Sequence, residues 1–509
     1  MVSYIKKALT STLIIYVFAI IGSFFAYLVR ILFARNLSVA EYGLFFAVFG
    51  LLSLVFVFKD LGYGLTIIRF TPEFIVKKQM SYVKSSIVLT FIIQLVYSLI
   101  AAVIFFMLAN YLSVNFFHDE LAGNLIKLLV VWQILNSVIS TLIVSFLGFQ
   151  RFFLWAAINH LSMLAVFILT FIFFKMGFGY LTPALAYVFY ALMFSIIFLP
   201  IFLKKVYPGF FKENLDFNKE LLVKLTKFSI PQIFTNSSAT IMSYIDTVML
   251  TLMAGVAGVG IYHVAMPTSK LTLLLGEGLG TFLMPFVSEL WTKKHVRHLI
   301  EGIHLIYKYV FIMIVPIVLL VFAFSDLIIN LFFGIEYSGA NMPLKILVLG
   351  MAAFTFFVIN SAILLGINKP KVNAAILFAA MIFNVIANLI LIYFFKVTGA
   401  AMATALSYGL LLCLSLYYIR KYIKIKIPFL YWIKVGAVGV FVVIIAYVLK
   451  WLININPYIE TVFIVIIVSC VYLLILYVCK LLDIKEILEI LNRFGLKDKI
   501  KNVLKAKAE

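Results

Sequence analysis

Apolar residues in this chain come in long runs separated by short charged segments. Fourteen stretches of roughly 20 mostly apolar residues are each long enough to cross about 30 Å of hydrocarbon as a helix. They fall at approximately 11–33, 43–67, 83–109, 125–147, 152–174, 180–203, 228–252, 259–287, 305–333, 343–366, 372–395, 399–419, 430–450 and 459–480. The least regular is the second, where Lys59, Asp60 and several glycines interrupt the run near 59–70. The first follows Lys6 and Lys7 and continues to Phe33 with no small-residue cleavage site, which predicts a spanning helix rather than a removable leader.

Positive charge alternates from loop to loop. One set of loops and ends holds 31 Lys and Arg, among them six lysines between Lys204 and Lys227 and eight basic residues, seven lysines and Arg493, from Lys480 to Lys507. The opposite set, including helix ends, holds seven: Arg30, Arg35, Lys127, Lys175, Lys345, Lys396 and Lys450. Cytoplasmic loops carry the excess of basic residues, so a multi-pass protein of the cytoplasmic membrane with both termini inside is expected.

The chain repeats itself. Val39-Ala-Glu-Tyr-Gly-Leu-Phe45 matches Val256-Ala-Gly-Val-Gly-Ile-Tyr262 at an offset of 217, which also maps Asp60 onto Glu277. Phe173-Phe-Lys175 matches Phe394-Phe-Lys396, and Ala184-Leu-Ala-Tyr187 matches Ala405-Leu-Ser-Tyr408, at an offset of 221. Six predicted helices separate equivalent positions, so the two copies share one orientation and are related by a pseudo-twofold along the membrane normal. The expected fold is all-α and polytopic: an N-terminal lobe over 1–210, a C-terminal lobe over 211–425, a terminal helix pair over 426–481 and a tail over 482–509. The tail alternates Leu and Ile with Lys, as in Ile484-Lys-Glu-Ile-Leu-Glu-Ile-Leu491, and predicts an amphipathic helix on the inner leaflet.

Composition excludes several classes. Hydrophobic residues make up 65% and charged residues 12% of the 509, at a mean hydropathy of +1.16, so too few charges exist to build a soluble surface. The net charge of +21 sits in short loops between apolar runs, which is membrane topology and not a nucleic-acid surface. Cys413, Cys470 and Cys479 lie in apolar runs without metal-ligand spacing and read as small buried hydrophobes. The six histidines show no zinc spacing, and no Walker loop or Gly-x-Ser-x-Gly appears. No cofactor and no enzymatic chemistry are expected.

Arg30-Ile-Leu-Phe-Ala-Arg35, Glu41-Tyr-Gly-Leu-Phe45 and Asp60-Leu-Gly62 resemble the opening of the lipid-linked oligosaccharide flippases. These belong to the multidrug/oligosaccharidyl-lipid/polysaccharide exporter superfamily. Ser243-Tyr-Ile-Asp246 with Gly260-Ile-Tyr262 resembles that family's seventh and eighth helices, and Gly366-Ile-Asn-Lys369 its turn after the tenth. The resemblance covers nearly the whole chain and implies a V-shaped pair of lobes around a polar, cationic cavity. The substrate it implies is a polyprenyl-linked sugar moved from the inner to the outer leaflet.

Such a head group carries phosphate and sugars through hydrocarbon, so fixed cations are needed to neutralise it and polar side chains to meet the hydroxyls. Arg30, late in the first run, and Lys270, near the middle of the eighth, are the first candidates; Lys59 and Arg35 follow. Asp246 lies one residue from the repeat equivalent of Arg30, so the two are candidates to pair as an outer gate. Asp246, Asp60 and Glu277 are the carboxylates that could gate or bind a coupling sodium ion or proton. Pro231, Pro267, Pro285 and Pro316 predict kinks, and Asn384 with Asn388, four apart, predicts polar contact between helices. The expected partners are the lipid-linked glycan and membrane lipids, with the protein a monomer beside polysaccharide-assembly enzymes. A cation-coupled exporter of drugs or metabolites on the same fold is the alternative. A membrane glycosyltransferase would need a large outer loop with paired acids, and only Asp119-Glu120 offers a pair.

Overall fold

The computed structural model describes residues 2–452 and 457–482, without the side chains of residues 1–14 and of scattered later positions, Glu277 among them. The tail expected from 482 onward falls outside the described residues, apart from Leu482 itself. The helices are α1 (Val2–Asn36), α2 (Val39–Phe56), α3 (Tyr63–Val76), α4 (Met80–Leu112), α5 (Ala122–Gly148), α6 (Phe152–Lys175), α7 (Thr182–Ile201) and α8 (Lys219–Ser269). They continue as α9 (Leu273–Thr292), α10 (Val296–Ala323), α11 (Ser325–Phe332), α12 (Asn341–Gly366), α13 (Pro370–Ile423), α14 (Phe429–Leu452) and α15 (Pro457–Val478).

Among the described residues, 11 helices are long and apolar enough to cross a membrane. Two of them, α8 with 51 residues and α13 with 54, are too long for one crossing. Each is broken by one residue of positive φ: Gly255 at +73° and Lys396 at +50°. The repeat offsets carry these two onto Ser38, in the turn between α1 and α2, and onto Lys175, at the end of α6. Each long helix is therefore two limbs joined by a turn tightened to a single residue. Lys396 Nζ ties the two turns together by donating to the Met253 carbonyl at 3.0 Å. Dividing both helices and adding the shorter apolar helix of α15 accommodates the fourteen expected crossings.

The irregular second run is two helices. Residues 57–62 turn between α2 and α3, Gly62 adopts φ +76°, and Asp60 Oδ1 accepts from the Gly62 amide at 3.0 Å. That carboxylate is committed to building the turn.

The tightest crossing joins α2 to the second limb of α8, and it obeys the repeat. A β-carbon on Gly43 would overlap the Val256 carbonyl oxygen, and one on Gly260 would overlap that of Val39. Gly43 and Gly260 are equivalents, as are Val39 and Val256, so the contact is reciprocal and marks the pseudo-twofold axis. Only glycine lets two membrane helices approach this closely. Three residues on, Phe46 stacks on its own equivalent, His263, with ring centres 4.5 Å apart and planes 8° apart.

The chain folds as two compact units. The first comprises Met1–Ser288 with Asp326–Tyr418 and holds the α2–α8 crossing; the second comprises Glu289–Ser325 with Ile419–Glu509. In the second, α10 packs with α14 and α15. Pro316 has no amide hydrogen, so the Ile312 carbonyl four residues earlier loses its helical donor, and the Tyr472 hydroxyl supplies one at 2.9 Å. Cys413, Cys470 and Cys479 are exposed on the protein surface, not buried; a bilayer solvates them in place of a core.

At the end of the first unit that bears Lys77 and Lys224, Glu73 ties α3 to α8. Its carboxylate meets Lys224 at 2.8 Å, Lys77 at 2.9 Å and Arg69 at 3.6 Å. The hydrogen bonds from Lys224 and Lys77 hold this carboxyl down at about 2, against an ordinary 4.5.

Two outcomes are expected. Gly43→Val or Gly260→Val leaves a folded protein that cannot close this crossing. In a cysteine-free background and in detergent, a cysteine placed at Phe46 then reacts with a maleimide, and is protected while both glycines remain. A folded pKa below the unfolded one means that Glu73 contributes above about pH 4.5 and ceases to as pH falls through about 2. The gap in unfolding temperature between the parent and Glu73→Gln is small at pH 7, since the pairs are partly solvated, and closes over that window.

Candidate functional site

A cavity of about 370 Å³ opens within the first unit, lined from α1, α2, α5, α6, α7 and both limbs of α8. One wall is aromatic: Phe49 stacks on Trp132 with centres 5.3 Å apart, and Tyr187 meets the Trp132 edge at 5.3 Å. Asn136, Asn159, Ser162, Tyr190 and Tyr244 add amides and hydroxyls. Among the described residues, Arg30 is the one fixed cation on the lining.

Arg30 is held in place by a backbone defect. Within α8, residue 267 is proline, so the His263 carbonyl has no i→i−4 donor. Arg30 Nη1 donates to that carbonyl at 3.2 Å, and so does the Tyr42 hydroxyl at 3.2 Å. The guanidinium also lies over the Phe46 ring, 4.7 Å from its centre. The His263 ring shares the cavity lining; Nε2 pairs with Thr247 Oγ1 at 2.9 Å, while Nδ1 is buried without a hydrogen-bond partner.

Asp246 lies close to this turn but does not line the cavity. Its side chain is 1% exposed, and it joins both limbs of α8 to both limbs of α13. Tyr262 Oη donates to Oδ2 at 2.7 Å, Asn388 Nδ2 donates to Oδ1 at 2.6 Å, and the Thr404 hydroxyl donates to Oδ2. The Oδ1 atoms of Asn384 and Asn388 are buried and accept no hydrogen bond. A carboxylate, two unused amide oxygens and a hydroxyl oxygen form a hard-donor set of the kind that suits a sodium ion, or a carboxyl that takes up a proton.

The expected Arg30–Asp246 ion pair is not formed: Arg30 is engaged by the His263 carbonyl and Asp246 by three other donors. Arg35 caps α11, donating to the carbonyls of Asn330 and Phe332 at 3.1 Å each and to that of Leu331, which is a helix-end role. Lys59 lies partly buried in the α2–α3 break beside Asp60, and Lys270 is exposed in the 3₁₀ turn Lys270–Thr272 after α8; neither lines the cavity. The Glu277 side chain lies outside the described residues. The residues not anticipated from the sequence are His263, Tyr42 and the aromatic wall. A signal was available for the first: His263 stands four before Pro267 and is the repeat equivalent of Phe46.

A second cavity of about 330 Å³ between α4, α5 and α7 is walled by side chains such as Phe91, Leu142, Leu199 and Phe210 and offers no polar surface. It suits hydrocarbon and not a polar head.

Residues 8–291 match the family described as polysaccharide biosynthesis protein, and residues 231–390 match the MatE family. The chain is 29% identical over 481 residues to the uncharacterized membrane protein MJ1068 of Methanocaldococcus jannaschii, covering 92% of this chain and 94% of that one. It is 26% identical over 215 residues to the probable low-salt glycan biosynthesis flippase Agl15 of Haloferax volcanii, covering 42% of this chain and 44% of the other. In fold it is similar to the lipid II flippase MurJ in an inward closed conformation, with a TM-score of 0.72 and 15% identity over 91% of this chain and 99% of that one.

Removing the Asp246 carboxylate leaves Tyr262 and Thr404 with only each other, at 3.1 Å, and Asn388 with only the Asn384 carbonyl, at 2.9 Å. Asp246→Ala is expected to lower the unfolding temperature in detergent, each lost hydrogen bond to the carboxylate contributing about 1.5–3 kcal/mol. Asp246→Asn, which keeps one acceptor, loses less. Equal unfolding temperatures for all three proteins would contradict a structural role for the cluster.

Proposed function

The chain belongs to the polysaccharide biosynthesis protein family, and from that premise we propose that it is a flippase. It moves a polyprenyl-(pyro)phosphate-linked oligosaccharide from the inner to the outer leaflet by alternating access, for assembly of a cell-surface glycan. The observation that carries the reading is one guanidinium set among aromatic rings and amides in a cavity of about 370 Å³. Arg30 offers the phosphate a charge-assisted contact that outranks its present neutral carbonyl. Amides, hydroxyls and ring faces suit sugars, and the polyprenyl tail stays in lipid.

Alternating access rests on the repeat. In this reading the Gly43–Gly260 crossing, three residues before the cavity-lining Phe46 and His263, is the closed gate at the end where α2 begins. That end lies away from the lysine-rich loops and so toward the outside. Opening that crossing while the other end closes transfers the head group without exposing it to hydrocarbon. In this reading Asp246 is the coupling site, taking a sodium ion or a proton as co-substrate, while Asp60 and Arg35 serve structure. The similarity to Agl15, named a probable glycan biosynthesis flippase, supports the substrate class, and that to MurJ supports the fold.

The MatE match over residues 231–390 and the buried Asp246 favour one second reading, a cation-coupled exporter. Proteoliposomes separate the two. With a fluorescent polyprenyl-diphosphate sugar, translocation is expected from the parent protein and to fall at least tenfold in Arg30→Ala; Asp246→Asn abolishes its response to an imposed sodium or proton gradient. Ion-driven efflux of a soluble dye, with no movement of any glycan lipid, would establish the exporter instead.

A further inference from the structure

The proline at 267 removes one rung from the α8 ladder at the point where two separate sites meet. His263 and Tyr262 are neighbours on that turn. The His263 carbonyl holds Arg30 and Tyr42, whereas the Tyr262 hydroxyl holds Asp246. The cavity and the carboxylate cluster therefore share a single turn whose own backbone bond is missing. The first half of the repeat has no counterpart of this arrangement. The equivalents of Pro267, His263 and Asp246 are Gly50, Phe46 and Val29.

We infer that Pro267 is a positioning residue: it makes the His263 carbonyl a resting place for Arg30 and thereby couples anion binding in the cavity to cation binding at Asp246. The inference rests on the flippase reading of the cavity. A phosphate entering the cavity competes with one carbonyl for the guanidinium and wins, because it is charged and accepts two parallel bonds. The His263 carbonyl is then left with Tyr42 alone, and a turn without its i→i−4 bond is free to rotate. Rotation shifts the Tyr262 hydroxyl relative to Asp246 and frees carboxylate lone pairs for a cation. Linkage makes the effect reciprocal. A cation that displaces the Tyr262 hydroxyl loosens the same turn and lowers the cost of releasing Arg30.

Other groups on the turn fit this assignment. Thr247 holds the His263 ring through Nε2, so the ring stays against Phe46 while the carbonyl changes partner. Thr404 and Asn388 hold Asp246 from α13, so the carboxylate remains in place when Tyr262 leaves. The movable part is the segment from Tyr262 to Pro267.

The test is equilibrium binding of farnesyl diphosphate to the purified full-length protein, in sodium chloride and in choline chloride of equal ionic strength. In the parent, sodium is expected to tighten binding three- to tenfold. Pro267→Ala restores the amide that caps the His263 carbonyl and displaces Arg30 from it. Binding in choline then becomes as tight as the parent's in sodium, and the sodium effect falls below twofold. Tyr42→Phe leaves Arg30 as the sole donor to the carbonyl and acts in the opposite sense, weakening binding in choline. General damage to the fold would weaken binding in both variants, so opposite signs are the diagnostic result. A sodium effect retained in full by Pro267→Ala would mean that the two sites interact only through Coulomb attraction, and would overturn the inference. A parent protein that binds no farnesyl diphosphate in either salt would overturn the flippase reading of the cavity, and this inference with it.

Discussion

A carbonyl without a helical donor cannot be left facing hydrocarbon, and much of this structure is arranged around that constraint. Prolines and helix ends create the unpaired groups, and side chains from other helices satisfy them. Tyr472 serves the carbonyl that Pro316 frees in α10. Arg35 serves the last carbonyls of α11, and Lys396 serves Met253 at the tight turn in α8. Arg30 and Tyr42 serve His263. In three of these the donor is a cation, and its hydrogen bond to a neutral carbonyl is stronger than one from a neutral donor. One pairing thus satisfies the acceptor and fixes the position of a charge. Arg30 differs from the others only in where it stands, on the wall of a polar cavity where a stronger acceptor can reach it.

The internal repeat explains why chemistry is found where it is. At the axis the halves must fit each other, and Gly43 and Gly260 are kept in both. Away from that contact the halves diverge. The second half carries Asp246, Asn384, Asn388 and Thr404, while the equivalent positions of the first are Val29, Met163, Phe167 and Pro183. The first half carries Arg30 where the second has Thr247. One copy has specialised in the cation of the cavity and the other in the buried carboxylate, and the two are joined where α2 meets α8.

Much of the architecture is legible in the sequence because the bilayer imposes it. Run length gives the crossings, and the repeat anticipates turns at Gly255 and Lys396 that helical hydrogen bonding alone would hide. The site is less legible. Arg30 stands out because a charge in an apolar run is rare. The partner of Asp246 does not, since neutral Tyr262, Thr404 and Asn388 solvate the carboxylate where charge counting points to an arginine. Asp60 misleads for a related reason: beside a glycine turn, a carboxylate is as useful to its own backbone as to a ligand. The aromatic wall is invisible among 52 phenylalanines and 27 tyrosines, because only packing decides which rings face the cavity.

The Gly43–Gly260 crossing is an isologous interface contained within one polypeptide. In a symmetric dimer of separate chains, any substitution at the dyad is introduced twice, so a ligand at the dyad always meets two identical walls. Fusion of the copies lifts that requirement. Phe46 can face His263, and an arginine can approach from one side alone. The cavity beside this crossing takes most of its lining from the first copy and only Tyr244 and His263 from the second, an asymmetry open to a fused pair of copies and closed to two identical chains.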